Sequence, residues 1–316
     1  MMKLTTADTA RYLLERDSFC IITHRRPDGD TLGSAAALCR GLRQKNKAAY
    51  ILENPEITPK YANLLEGLCK PVISKDDTLV FVDLASANMY PASFVRPLEN
   101  PSLRIDHHRT SDSFTDAELV DPDSAACGEL IYDLLTEMDV ALDIPMANAL
   151  YTAISTDTGC FRFANTQSHT FEVAAACAKV TPDLYTLNQT LFGTVSFARL
   201  KIQSWMIENA KFLAGGQIAI CALPLTVEKE LGVTEDDMEN ISGFPRSIDG
   251  VKIAATLRQQ EDGLVKLSVR CAPDFDAGAI CAKFGGGGHR GAAGANLNLS
   301  LEEATNAVIA AMPTLE

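Results

Sequence analysis

The sequence holds no apolar run of the length a membrane-crossing helix needs, which argues against membrane insertion. Residues 1–14 lack both the apolar core and the small-residue cleavage site of a secretory leader, so the chain is expected in the cytoplasm. Nine cysteines, an odd number, are scattered without a single Cys-x-x-Cys pair. That excludes a zinc ribbon and argues against a disulfide framework; reduced core thiols are expected instead. Positive charge is scarce, 28 Lys and Arg against 41 Asp and Glu for a net charge of −13. Broad contact with long duplex nucleic acid, which depends on many Lys and Arg contacts to phosphate, is therefore disfavoured. A short phosphorylated substrate, met locally by metal ions and a few arginines, is not. Internal repeats and low-complexity tracts are also lacking. Histidine is rare too, five in the whole chain, yet His24, His107, His108 and His289 all fall within polar or glycine-rich clusters.

What is present is an ordinary soluble composition, 47% hydrophobic and 22% charged, over 316 residues, a length that favours two domains. Short apolar, β-branched runs at 19–23, 48–52, 78–82 and 103–105 alternate with helical stretches such as 35–42 and 61–68. This alternation predicts a doubly wound, mainly parallel α/β sheet. His24, Asp83 and Asp106 each follow such a run directly, which places them at the carboxyl edge where these sheets put their ligand sites. Residues 124–138, with Ser124 as N-cap, 145–155 and 171–180 read as helices. A long helical pattern at 197–213 ends at Gly215-Gly216. The expected division is a catalytic domain at 1–195, a helical linker at 196–216 and a smaller mixed α/β domain at 217–316. In the latter, strands are expected at 217–223, 251–258 and 264–270, and helices at 226–232, 236–241, 277–284 and 301–312.

The polar clusters carry metal chemistry. His24 is followed by Asp28 and Asp30, four and six residues later; Asp83, His107 and Asp157 add two carboxylates and an imidazole. Six such ligands are too many for one tetrahedral zinc and suit two ions sharing a bridging carboxylate. A shell without thiolate favours Mn²⁺, with Mg²⁺, Co²⁺ or Fe²⁺ as substitutes. Two ions roughly 3.5 to 4 Å apart activate water and screen phosphoryl oxygens during in-line attack. Singly, each piece has a plainer reading. Residues 27–30 can be a turn, Asp83 a helix cap, His108 a hydrogen-bonded edge residue and residues 156–159 a helix end. Four decorative segments falling in order at strand and helix exits is the less economical reading. Near the C-terminus, Gly285, Gly286, Gly287 and Gly288 precede His289; alone, the run reads as a tight helix-to-strand connection, and glycines also let backbone N–H groups approach an anion.

The segments HRRPDGDTLGS, FVDLAS, IDHH and TDTGCFRF closely resemble the four motifs of the DHH phosphoesterase superfamily. Residues 266–294, KLSVRCAPDFDAGAICAKFGGGGHRGAAG, are similar to the DHH-associated domain of its nanoRNase and pAp phosphatase branch. The resemblance spans almost the whole chain. It implies that His24, Asp28 and Asp83 bind one metal ion and that Asp30, Asp83, His107 and Asp157 bind the other, with Asp83 bridging. His108 is then the residue that meets the scissile phosphate or leaving oxygen, with Asp106 orienting a histidine. Ser34 and Arg162 are active-site neighbours of lesser weight. Arg270, Gly286, Gly287, Gly288 and His289 are implied to bind the nucleotide's phosphate and base, gripping one end so that short substrates are selected.

The implied activity is a Mn²⁺-dependent hydrolysis of RNA of two to five nucleotides to mononucleotides, together with removal of the 3′-phosphate from pAp. A phosphodiesterase of linear or cyclic dinucleotides and a non-catalytic nucleotide sensor are the alternatives; a sensor is expected to lose metal ligands, and all six are present. Inorganic pyrophosphatase and long-DNA exonuclease are less favoured. A homodimer stays open. The chain departs from the family where Ser268-Val269-Arg270-Cys271 replaces the usual Ser-Leu-Arg-Ser. Arg25 and Arg26 are expected to be solvated, His169 structural or on the surface, and residues 228–230 and 236–237 solvated helix faces.

Overall fold

In a computed structural model that describes residues 2–91, 93–97, 99–109 and 112–315, the chain forms two compact units, Met1–Thr194 and Val195–Glu316.

The first unit runs β1 (Met2–Lys3), α1 (Thr6–Leu14), β2 (Ser18–Ile22), α2 (Gly29–Gln44), β3 (Ala48–Leu52), β4 (Cys69–Lys70), β5 (Thr78–Val82), β6 (Ser102–Asp106), β7 (Ala117–Val120), α3 (Cys127–Glu137), α4 (Ile144–Asp157), α5 (Ser168–Val180) and α6 (Leu184–Asn188). The strands form one sheet in the order β1-β7-β6-β5-β2-β3-β4, with every pairing parallel. Apolar runs such as 78–82 are buried along their whole length, as expected of parallel strands covered on both faces. From β2 the chain steps outward to β3 and β4, then returns to the other side of β2 for β5, β6 and β7. The order therefore reverses between β2 and β5, and a crevice opens at the carboxyl ends of such a pair.

On one face Phe19, Ile21, Val80, Val82, Leu103 and Ile105 pack against the helices. On the other, Cys20, Ile22, Leu79 and Phe81 pack not on α-helices but on Met89, at the end of a short 3-10 helix, and on Tyr90, Phe94 and Phe114 from irregular segments. Helix α4 is approached closely by both α2 and α3. A Cβ added at Gly33 would lie 2.3 Å from the Ala149 carbonyl oxygen, and one added at Gly128 would lie 2.6 Å from the Ala153 Cβ. Only glycine fits at these two crossings.

The second unit comprises α7 (Phe197–Asn209), β8 (Lys211–Leu213), β9 (Ile218–Leu223), α8 (Leu225–Leu231), α9 (Glu235–Met238), β10 (Ile253–Gln259), β11 (Val265–Cys271), α10 (Ala277–Ala282), β12 (Gly287–Gly288), β13 (Ala292–Leu297) and α11 (Leu301–Ala311). Its sheet, β12-β13-β11-β10-β9-β8, is antiparallel except for β9 beside β10. Leu257, Leu267 and Val269 pack with Ala277, Ile280, Ala304 and Val308 of α10 and α11.

Several expectations need correction. Residues 196–216 are integral to this second unit: Ile202 and Met206 of α7 pack on Cys221 and Leu223, and β8 pairs with β9 through a turn containing Gly215 and Gly216 at φ 62° and 94°. Glu228 and Asp237 are not solvated. Glu228 is 5% exposed and takes two hydrogen bonds from Arg258, both 2.7 Å; Asp237 caps α9 through Thr234 and also accepts from Ser196. Ser124 lies in the turn before α3, whose N-cap is Ala126. The helical stretch expected at 61–68 is a 3-10 helix at residues 59–65. Helix α1 and strands β1 and β7 escaped the sequence reading because each is short or of mixed polarity. All nine cysteines are free, and no helix among the described residues is long and apolar enough to cross a membrane.

Candidate metal centre

The site lies where β2, β5 and β6 end. His24 follows β2, and the next polar loop leads into α2. Asp28 is that helix's N-cap, accepting from the amides of Asp30 and Thr31, while the Thr31 hydroxyl donates to Val82 O at 2.8 Å, tying the helix start to β5. Asp30 reaches the first turn of α3, where its carboxylate accepts from the amides of Cys127 at 2.7 Å and Gly128 at 2.9 Å and from Ser34 Oγ at 3.1 Å. The positive end of that helix favours the charge. Asp83 follows β5 with φ 63°, a left-handed conformation uncommon for a non-glycine residue. Asp157 closes α4 and accepts from Asn165 Nδ2 at 3.4 Å.

Among the described residues, three groups of side chains have ligand atoms within 4.8 Å of one another: His24, Asp28 and Asp83; Asp30, His107 and Asp157; and Asp83, His107 and His108. Asp83 joins them. Its Oδ2 lies 3.6 Å from His24 Nε2 and its Oδ1 lies 3.4 Å from His107 Nε2. His107 Nε2 also faces Asp30 Oδ2 at 3.6 Å and Asp157 Oδ2 at 3.8 Å, and His24 Nε2 faces Asp28 Oδ1 at 3.6 Å.

The imidazoles are oriented for metal. His24 Nδ1 donates to Arg25 O at 2.8 Å and His107 Nδ1 donates to Ser124 O at 3.2 Å, because a carbonyl can only accept. In the neutral ring each Nε2 is then left with a lone pair aimed into the carboxylates, the arrangement found in histidine ligands. His108 differs. Its Nδ1 donates to Asp106 Oδ1 at 2.7 Å, which engages that nitrogen and leaves Nε2 for something else.

Without cations the electrostatics are unfavourable. Burial pushes Asp30 well above the usual carboxylate range, with Asp83 and Asp157 adding to it. Burial likewise raises Asp157 to about 7, with Asp83 and Asp28 contributing. Burial opposes the charge on His107, yet Asp83, Asp30 and Asp157 raise its pKa to about 11. Asp83, despite burial, is held low by His107 and His24, while its Oδ1 finds no hydrogen-bond donor. The donors fit two divalent ions: oxygen and imidazole nitrogen only, with the neighbouring Cys127 thiol turned to Ile105 O at 3.4 Å.

All six expected ligands, with Asp106 and His108, are thus brought together in the first unit. Ser34 joins them through Asp30; Arg162 folds back onto Gly159 O at 2.7 Å. Arg25 and Arg26 are exposed, and His169 pairs with Asp133 at 3.1 Å. Arg270, Gly286, Gly287, Gly288 and His289 belong to the second unit. Arg270 is in β11, half-buried, with Nη1 donating to Val269 O at 3.1 Å, and burial lowers its pKa. The glycine run is more structured than a free anion loop. The amides of Gly285, Gly286 and His289 already bond Ala282, Cys281 and Ala292, and Gly287–Gly288 is the edge strand of the sheet. Sequence reasoning missed Asn165, Glu118 and Arg104, and read Ser124 only as a helix cap. Arg104 interrupts the otherwise apolar run 103–105, and that interruption is the available signal.

Comparison with known proteins identifies the two domains. Residues 18–154 match the DHH family, N-terminal domain, and residues 215–313 match the DHHA1 domain. The bifunctional oligoribonuclease and PAP phosphatase NrnA of Thermus thermophilus is 35% identical over 92% of this chain and 88% of its own. The protein of the same description from Bacillus subtilis is 27% identical over 95% of both chains. Among solved structures, an exopolyphosphatase-related protein from Bacteroides fragilis superposes with a TM-score of 0.82 at 23% identity, covering 97% of this chain and 95% of its own. That likeness speaks for the fold alone.

Proposed function

The chain belongs to the DHH family, and from that premise we propose that it is a Mn²⁺-dependent phosphoesterase. In this reading it hydrolyses short oligoribonucleotides to mononucleotides and dephosphorylates pAp to AMP, the two activities named for its relative of 35% identity. The observation that carries the reading is Asp83, one carboxylate whose two oxygens each face a different imidazole. His24, Asp28 and Asp83 would hold one ion; Asp30, Asp83, His107 and Asp157 would hold the other. When bound, the ions supply positive charge at the phosphoryl oxygens and the acidity that makes water a nucleophile at neutral pH.

The chain's own residues do the rest. Asp106 accepts the Nδ1–H hydrogen bond of His108, so the ring presents Nε2 to the substrate, where in its protonated form it contacts the phosphate and delivers the Nε2 proton to the leaving ribose 3′-oxygen. Water adds to phosphorus and the bond from phosphorus to the 3′-oxygen breaks. This is the same exchange in an RNA linkage and in pAp, so one centre serves both. Arg270 offers a guanidinium without a carboxylate partner among the described residues, suited to a nucleotide phosphate.

The test is hydrolysis of 5′-labelled five-nucleotide RNA, pAp and a linear dinucleotide with Mn²⁺, by wild type and by Asp157→Ala. The reading expects AMP from pAp and mononucleotides from RNA, both lost in the variant. Turnover of the dinucleotide alone would move the assignment to a dinucleotide phosphodiesterase, and binding of all three without turnover would overturn it in favour of a sensor.

A further inference from the structure

Behind His108 runs a row of buried charges. Arg104, in the middle of β6, is 1% exposed, and Asp106, two residues on along the same strand face, is 0% exposed. Arg104 Nη2 donates to Glu118 Oε2 at 2.5 Å, across to β7, where the two residues are register partners. Its Nη1 donates to Asp112 O at 2.9 Å and Ala85 O at 3.2 Å. The same Nη1 lies 3.7 Å from Asp106 Oδ2, an oxygen with no hydrogen-bond donor of its own. Asp106 Oδ1 holds His108 Nδ1.

Two consequences follow from these contacts. A carboxylate removed from water needs a cation close by, and the guanidinium next to Asp106 is that cation, itself backed by Glu118. Ala85 begins the segment leaving Asp83, and Asp112 belongs to the segment leaving His108; their backbones are joined by Asp112 N donating to Ala85 O at 2.8 Å. The guanidinium clasps both segments where they meet. Only a planar fork with five donors reaches a carboxylate, two carbonyls and a second carboxylate at once, which a lysine cannot do.

We propose that Arg104, backed by Glu118, is a positioning residue for the reaction: it fixes Asp106, and through it the His108 ring, and locks together the segments that leave Asp83 and His108. The proposal rests on the reading of His108 as the group that meets the substrate.

The test is a double-mutant cycle on Mn²⁺-dependent pAp hydrolysis. Arg104→Met is combined with Glu118→Gln so that no buried carboxylate is orphaned, and the pair is made in wild type and in His108→Ala. In wild type the pair should lower kcat by about 10- to 100-fold, the range typical of residues that orient a functional histidine, with KM and Mn²⁺ stoichiometry unchanged. Arg104→Lys should recover part of the loss. In the His108→Ala background the pair should cost almost nothing, because residues acting as a unit are not additive. An equal loss in both backgrounds, an unchanged kcat, or a loss traced to missing Mn²⁺ would overturn the proposal. Should the double variant not fold, Arg104→Lys carries the cycle alone. Amide exchange gives a readout independent of turnover: the Asp112 and His108 amides should exchange about tenfold faster in the variant, and unchanged rates would refute the clasp. If wild type hydrolyses none of the substrates, the phosphoesterase reading falls, and the exchange result still decides the clasp.

Discussion

Gly33→Ala tests whether the packing of two helices sets the geometry of the metal centre. The added Cβ would lie 2.3 Å from Ala149 O, 3.0 Å from Ala153 N and 3.1 Å from Ala153 Cβ. Ordinary contact begins near 3.4 Å, so α2 and α4 must part by about 1 Å, since neither backbone atom can turn aside. Overpacking of this kind costs about 3 kcal/mol, and alanine's better helix propensity returns about 1. The net loss of about 2 kcal/mol corresponds to a melting temperature lower by roughly 4–8 °C for a unit of this size. The same shift separates Asp28 and Asp30, at the start of α2, from Asp157, at the end of α4. Displacement of reacting groups by about 1 Å can cost about 100-fold in rate, so turnover should fall more than the stability change explains. Thermal unfolding and Mn²⁺-dependent hydrolysis are the assays. Gly243→Ala, where an added Cβ meets nothing within 4 Å, is the control. A Gly33→Ala protein that melts and turns over like wild type would refute the reasoning.

Arg270→Ala should raise KM by about tenfold with little change in kcat, as loss of a charged contact worth about 1.5 kcal/mol implies; steady-state kinetics on pAp decide it, and an unchanged KM would count against Arg270 as a nucleotide contact. Mn²⁺ affinity should fall below neutral pH and binding should release protons. In the metal-free protein Asp157 titrates near 7 and His107 near 11, and both must lose their protons to become ligands. Calorimetry in buffers of different ionisation enthalpy measures that release. Asp157 is raised above its unfolded value, so its contribution to stability is fully present below about pH 4 and is lost as pH rises through 7; the metal-free protein should weaken over that window, and bound Mn²⁺ should remove the trend. Glu228→Ala should destabilise the second unit by about 2 kcal/mol, because it removes two charge-assisted hydrogen bonds from the largely buried Arg258 guanidinium and leaves it only the exposed Glu235. A denaturation midpoint equal to wild type would contradict the burial of that pair.

Much of the centre was legible because chemistry and topology coincide. Polar residues placed directly after apolar runs lie at the sheet's carboxyl edge: His24 and Asp83 follow their strands, and Asp106 is the last residue of β6. What was hidden depends on side-chain reach or on backbone conformation. The left-handed Asp83 leaves no mark in composition. Arg104 reads as an intrusion in an apolar strand until Glu118, from the next strand over, is placed beside it. Glu228 and Asp237 look like solvated helix residues, since only the tertiary fold brings Arg258 and Ser196 to them. The segments covering the second face of the first sheet are irregular, with aromatics such as Tyr90, Phe94 and Phe114 spaced for neither helix nor strand. In the second unit, residues 196–216 resemble a linker because the glycines that end them also make the turn between β8 and β9.

The most direct measurement is the number of Mn²⁺ ions held per chain at equilibrium, in wild type and in Asp83→Asn, alongside turnover of pAp. A shared carboxylate predicts two ions in wild type, with loss of both tight binding and turnover in the variant. One ion in wild type, or two ions and full turnover in Asp83→Asn, would contradict the account.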